Sequence, residues 1–188
     1  MMSDRELVQA VTAGRPGAFE CLVRLHQGLC WHIVQRIVRD PDETRDLCQE
    51  TFLRVHQCLH QYRFDSALKT WIGRIAYRIA LRHMERRGKA LSACVGGEEG
   101  QALLDGMDSG LDVAQNAAQG EMTAWLLEQM DDLPPVQRTA LTLYHLEELT
   151  IPEIARILDA PEGTVKSHLH RARKLLRARM AEQIGEPA

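Results

Sequence analysis

Apolar residues recur at three- and four-residue spacing along most of the chain, and alternation of β-branched residues is absent. That period predicts an all-α protein. The stretch "AFECLVRLHQGLCWHIVQRIV" carries the spacing of one long helix, with Pro16 where the helix would start. "DPDE" predicts the next start, with Asp40 as N-cap, Pro41 in the first turn and Glu43 as the capping-box partner. This second helix runs to about His60, and "QYRFDSA" is a loop. A third helix, "LKTWIGRIAYRIALRHMERR", ends near Gly88, with Arg86 and Arg87 favouring the dipole of its last turn. Further on, "LPPVQRTALTLYHLE" opens on prolines, and "TIPEIARIL" has Thr150 as N-cap with Glu153 three residues on. Pro161 starts the final helix.

Glycine is concentrated between these blocks, at Gly96, Gly97, Gly100, Gly106, Gly110 and Gly120. The segment is acidic and free of aromatics, so it is expected to be a flexible linker rather than core. The expected organisation is two small helical domains, 1–90 and 120–185, joined by an acidic linker over 91–119.

Charge sharpens that division. The formal net charge is only −3, but it is segregated. Lys69 to Lys89 holds seven basic residues and one acid, Ala90 to Asp132 nine acids and no Lys or Arg, and Pro161 to Arg179 six bases and one acid. Two basic helices separated by an acidic stretch suit a polyanion partner, because the local field and not the total governs such binding. The chain of 188 residues, 45% hydrophobic and 26% charged, suits a soluble protein. No apolar run approaches a bilayer span, and "MMSDRELVQA" lacks a signal-peptide pattern. A cytoplasmic location without membrane insertion is expected. Cys21, Cys30, Cys48, Cys58 and Cys94 form an odd set without CxxC pairs, which fits a reducing compartment.

The stretch "TIPEIARILDAPEGTVKSHLHRARKLL" predicts a short helix, a tight turn and a longer basic helix, which is helix-turn-helix geometry. Ile154, Ala155 and Leu158 are placed to face Val165 and Leu169. Gly163 and Thr164 offer backbone N–H groups to a phosphate. Lys166, Ser167, His170 and Arg171 are placed to reach base edges in a major groove. Arg173, Lys174, Arg177 and Arg179 lie further along, where phosphates are expected. The bland alternative is a solvated amphipathic helix.

Two blocks, "DPDETRDLCQETFLRVH…YRFDSALKTWIGRIAYRIALRHMERR" and "LPPVQRTALTLYHLEELTIPEIARILDAPEGTVKSHLHRARKLL", resemble the extracytoplasmic-function group of bacterial sigma-70-type RNA polymerase sigma factors. The resemblance covers nearly everything except the linker. It implies region 2 in the first domain and region 4 in the second, with core RNA polymerase (β′ clamp helices and β subunit), promoter DNA and an anti-sigma factor as partners. An anti-sigma factor could also hold the protein at the membrane. The resemblance puts Asp46, Gln49, Glu50 and Phe52 on the β′ clamp helices. It puts Tyr62, Arg63, Asp65, Ser66 and Leu68 around a base flipped from the minus-10 element, with Trp71, Arg74, Arg78 and Arg82 along the melted strand. Extracting a base costs a few kcal/mol, which a pocket must offset, and stacking with phosphate attraction holds single strands. Trp71 taken alone reads better as core. The final helix would read the minus-35 element. Phe64 stands where the family usually has Gly, Arg78 where Asn is common, Arg82 where Asp is common, and Asp159 where a turn glycine is common. The linker admits two readings, a nucleic-acid mimic threading the polymerase cleft or a solvated tether.

Other classes remain in view. A stand-alone helix-turn-helix activator would explain the second domain and leave the first unexplained. A metal- or redox-responsive regulator would use His26 with Cys30 and His56 with His60, each pair four residues apart on one helix face. Cys21 and Cys48 read instead as small core hydrophobes. An enzyme is the weakest class, since no nucleotide-binding glycine loop, nucleophile elbow or HExxH occurs, and no cofactor is implied.

Overall fold

The structure is a computed structural model and describes residues 2–94 and 128–184, with side chains placed at 2–88 and 128–182. The described residues form helices and no strand. The acidic glycine-rich linker, 91–119, lies almost wholly outside them, only the backbone of 91–94 being described.

Helix α1 (Asp4–Thr12) is an element the apolar spacing did not announce. Ser3 and Glu6 form a full capping box at its start, with the Ser3 N–H donating to Glu6 Oε2 at 2.7 Å. Helix α2 (Ala18–Val38) begins two residues after Pro16, entered through Gly17 in the left-handed region at φ 75. Helix α3 (Pro41–Cys58) is capped by Asp40, whose carboxylate accepts from the N–H groups of Asp42 and Glu43. Glu43 does not complete a capping box. Its carboxylate meets His83 at 3.2 Å and Arg87 at 3.1 Å on α4, tying two helices instead of closing one. A 3₁₀ turn (Leu59–Gln61) follows. Helix α4 (Leu68–Cys94) does not stop at Gly88 but runs six residues further. A helical glycine costs only about 1 kcal/mol, too little to end a helix with good formers on both sides. The first N–H of α4, on Leu68, donates to Asp4 of α1 at 2.8 Å.

In the second half, α5 (Pro135–His145), α6 (Ile151–Leu158) and α7 (Glu162–Ile184) follow. Thr150 and Glu153 form the expected capping box on α6. Asp159 closes α6 in the left-handed region at φ 54, a conformation Asp tolerates better than most residues. Ile154, Ile157, Val165 and Leu169 are buried between α6, α7 and their neighbours, each worth about 1.5–3 kcal/mol.

The halves pack against each other. Helix α6 lies on α4 where Gly73 permits it: a Cβ there would stand 3.0 Å from Ile157 Cδ1 and 3.2 Å from Ile33 Cδ1. Helix α5 lies on the end of α2, where residues 33–38 are all buried among α5 and the neighbouring helices. Arg138 of α5 is 2% exposed, with Nε donating to the carbonyl of Arg36 at 2.8 Å and Nη1 to that of Asp131 at 2.6 Å. Burial first, then the charge of Arg39, lowers its guanidinium to about 10, still protonated at neutral pH. His32 of α2 meets Glu147 at 2.5 Å beside this seam.

Candidate DNA and polymerase interfaces

Helix α7 turns one face inward through Val165, Leu169, Ala172 and Leu176. Its 3.6-residue period therefore sends Lys166, His170, Arg171 and Lys174 outward, where all four are exposed. None of them makes an ion pair with a described residue. Ser167 is exposed as well, but its hydroxyl donates back to Gly163 O at 3.0 Å. The N–H of Thr164, expected to be open to a phosphate, donates to Pro161 O at 2.9 Å. Gly163 alone of that pair keeps a first-turn N–H without an intrahelical partner. Arg173 departs further from expectation. Its guanidinium lies 4.8 Å over the Tyr144 ring and 3.2 Å from His145 Nε2. Burial, then the charge of Arg173, holds His145 below its usual range, so the neutral ring can accept that bond. Arg179 is likewise held by Asp132 and Gln129. These two cations bind α7 to its own module.

The loop before α4 is a small aromatic nest. Tyr62 is buried, donates its hydroxyl to Ser66 O at 2.5 Å, and packs on Phe64 at 4.6 Å and Trp71 at 5.3 Å. Phe64 keeps the left-handed backbone, φ 62, that a glycine would supply, and Arg5 lies 4.9 Å over its ring. Tyr62 and Leu68 were expected against a flipped base. In the free chain Leu68 is fully buried and Tyr62 is 8% exposed, so both lie beneath the loop rather than on its surface. Arg63 and Asp65 are exposed, and Ser66 and Trp71 are half-buried. Along α4, Arg74 and Arg78 share the carboxylate of Asp159, each at 3.0 Å. The Arg78 hydrogen bond first, then the charge of Arg74, holds Asp159 below the usual carboxylate range. Arg82 is exposed, with Nε donating to Arg78 O.

On α3, Asp46, Gln49 and Glu50 are exposed along one side. Phe52 is not: it is 7% exposed and belongs to the wall of an apolar groove of about 670 Å³ between α2 and α3. Phe19, Val23, Trp31, Cys48 and Leu53 also line that groove. Leu53, 64% exposed, is a candidate that the sequence reading did not name. Its signal was available, as a leucine four residues after Gln49 on the polar side of α3.

Residues 22–90 match the family described as Sigma-70 region 2, and residues 123–176 match Sigma-70, region 4. Over 180 residues the chain is 32% identical to the ECF RNA polymerase sigma-E factor of Escherichia coli strain K12, covering 93% of each protein. The chain belongs to the extracytoplasmic-function sigma factors. It is thus an alternative sigma factor, which directs core RNA polymerase to specific promoters. This sigma factor is also 32% identical over 176 residues to the RNA polymerase sigma-H factor of Pseudomonas aeruginosa, covering 92% of this chain and 91% of that one. A solved structure of CnrH in complex with the cytosolic domain of CnrY shares its fold, with a TM-score of 0.67 at 19% identity, covering 96% of this chain and 99% of that one.

The metal candidates of the sigma factor are not brought together. His56 meets the Phe19 ring edge-to-face at 4.8 Å, His60 lies beside Gln61, and Cys30 pairs with Cys48. Among the described residues no group of three His, Cys, Asp or Glu could hold a metal. The hydrogen bond with Cys48, then burial, pushes the Cys30 thiol up and away from ionisation, which disfavours its thiolate. Cys21, expected in the core, is exposed, and Cys48 is half-buried.

Proposed function

We propose that this sigma factor divides initiation among three faces and catalyses no reaction itself. Asp46, Gln49, Glu50 and Leu53, with the groove behind them, dock on the β′ clamp helices, and the region 4 module meets the β subunit. Lys166, His170 and Arg171 read the edges of the minus-35 element, with Lys174 and the Gly163 N–H on phosphates. Arg63, Asp65, Ser66, Trp71, Arg74, Arg78 and Arg82 follow the melted minus-10 strand. The protein works in the cytoplasm, and no described helix is long and apolar enough to cross a membrane. An anti-sigma partner holds it there, as the cytosolic domain of CnrY is bound to CnrH.

The row of exposed, unpaired polar side chains on α7, one helix after a fully capped α6, is the observation that carries this assignment. The test is run-off transcription with sigma-free core polymerase on genomic fragments. Discrete transcripts sharing one upstream element are expected. Absence of specific starts, together with no affinity for core enzyme, would overturn it.

A further inference from the structure

The three faces differ in one respect. Those on α3 and α7 are open, whereas the strand face of α4 is already occupied by α6. Thr70, Gly73, Arg74 and Arg78 fall at intervals of three, four and eight residues, so they share one side of α4. Each meets the turn or helix of the other half. Thr70 Oγ1 stands 3.5 Å from Glu153, Ile157 seats on Gly73, and Arg74 and Arg78 take the two oxygens of Asp159. Arg156 reaches from α6 to the carbonyl of Asp65 in the loop at 3.2 Å.

The Asp159 contact has the form of a phosphate contact. One anionic group presents two oxygens, and a separate guanidinium donates to each, Arg74 Nη2 to Oδ1 and Arg78 Nη2 to Oδ2. Asp159 sits in the α6–α7 turn with a left-handed backbone, and its carboxylate reaches across to α4. Arg74 and Arg78 are about half exposed in this pairing. Such pairs are weak and screened by salt, so a strand carrying one phosphate per nucleotide competes well for them.

We propose that Asp159 is an internal stand-in for a DNA phosphate, holding Arg74 and Arg78 in the free chain so that α6 covers the strand face until a single strand displaces it. The inference rests on the assignment of α4 as the strand face. The free sigma factor then presents its duplex-reading helix while withholding its strand-binding surface.

The test compares full-length wild type with Asp159→Asn, which keeps the left-handed turn and removes the charge. The probe is a labelled 12-nucleotide mixed-sequence DNA strand at low salt, without polymerase. The expected gain for the variant is about three- to tenfold in affinity, given two exposed pairs, and it should vanish in an Arg74→Gln/Arg78→Gln background. An unchanged affinity, or the same gain in that background, overturns the proposal. Helical content by circular dichroism checks folding, and Asp159→Gly repeats the measurement should the Asn variant fold poorly. Promoter opening by holoenzyme carrying Arg74→Gln/Arg78→Gln separates the two claims. Unimpaired opening sinks the strand-face assignment, whereas impaired opening with an inert Asp159→Asn sinks the stand-in alone.

Discussion

Helices α4 and α7 carry the two basic faces of the molecule, and they are treated differently. On α7, Lys166, His170, Arg171 and Lys174 stand in solvent with no ion pair to a described residue. On α4, Arg74 and Arg78 are bridged by Asp159 from the other half. Both helices bury an apolar stripe and show cations opposite it, so helical periodicity alone makes them equivalent. The difference comes from what packs on top. Helix α6 supports α7 from its buried side, while its far side and the turn after it meet Thr70, Gly73, Arg74 and Arg78 of α4, so one short helix backs one basic face and engages the other.

The seam around Arg138 is where that arrangement breaks with the largest effect. Arg138→Met leaves the carbonyls of Arg36 and Asp131 without their donor inside a buried contact. A loss of about 2–4 kcal/mol is expected, read as a lower urea midpoint, together with easier access to α4. Next comes the polymerase side, which lies outside the contrast and should leave it intact. Leu53→Asp puts a charge on the rim of the α2–α3 groove and should weaken core binding at least about tenfold, with DNA binding by free protein unaltered. Lys166→Ala or Arg171→Ala should cost about 1–3 kcal/mol at the upstream element if either makes a bidentate base contact. Unchanged promoter discrimination in both removes α7 from the assignment. The smallest effect concerns pH. The folded-state carboxyl of Asp159 is depressed, so its contribution is present above the unfolded value and fades as pH falls through the folded one. The gap in strand affinity between wild type and Asp159→Asn should therefore hold at neutral and mildly acidic pH and close only as pH falls below the ordinary carboxylate range.

Much of this was legible because the signals are local. The long spacing of α2, the Asp40 cap, the Thr150–Glu153 box and the turn before α7 all involve residues at most four apart. Even α1 had its signature in Ser3 and Glu6, overlooked because only nine residues follow the cap. The misses are long-range. Glu43 turns to α4, 40 and 44 residues away, and nothing in "DPDE" announces it. Arg138 reads as an ordinary helix cation and becomes a buried one only because α2 lies across it, 102 residues back. Phe52, Tyr62 and Leu68, named from sequence for contacts with partners, are buried in the free chain, which their local sequence did not announce. Asp159 and Arg78 each stood out as departures from the family pattern. That they touch across 81 positions was visible only in the folded chain.

The groove beside Leu53 opens on the α2–α3 side, away from the seam with α5 and α6. On the proposed assignments, docking at this groove would leave the contact of Asp159 with Arg74 and Arg78 in place. A polymerase could then carry the sigma factor with that contact still made, and the exchange of carboxylate for phosphate would wait for the melted strand itself.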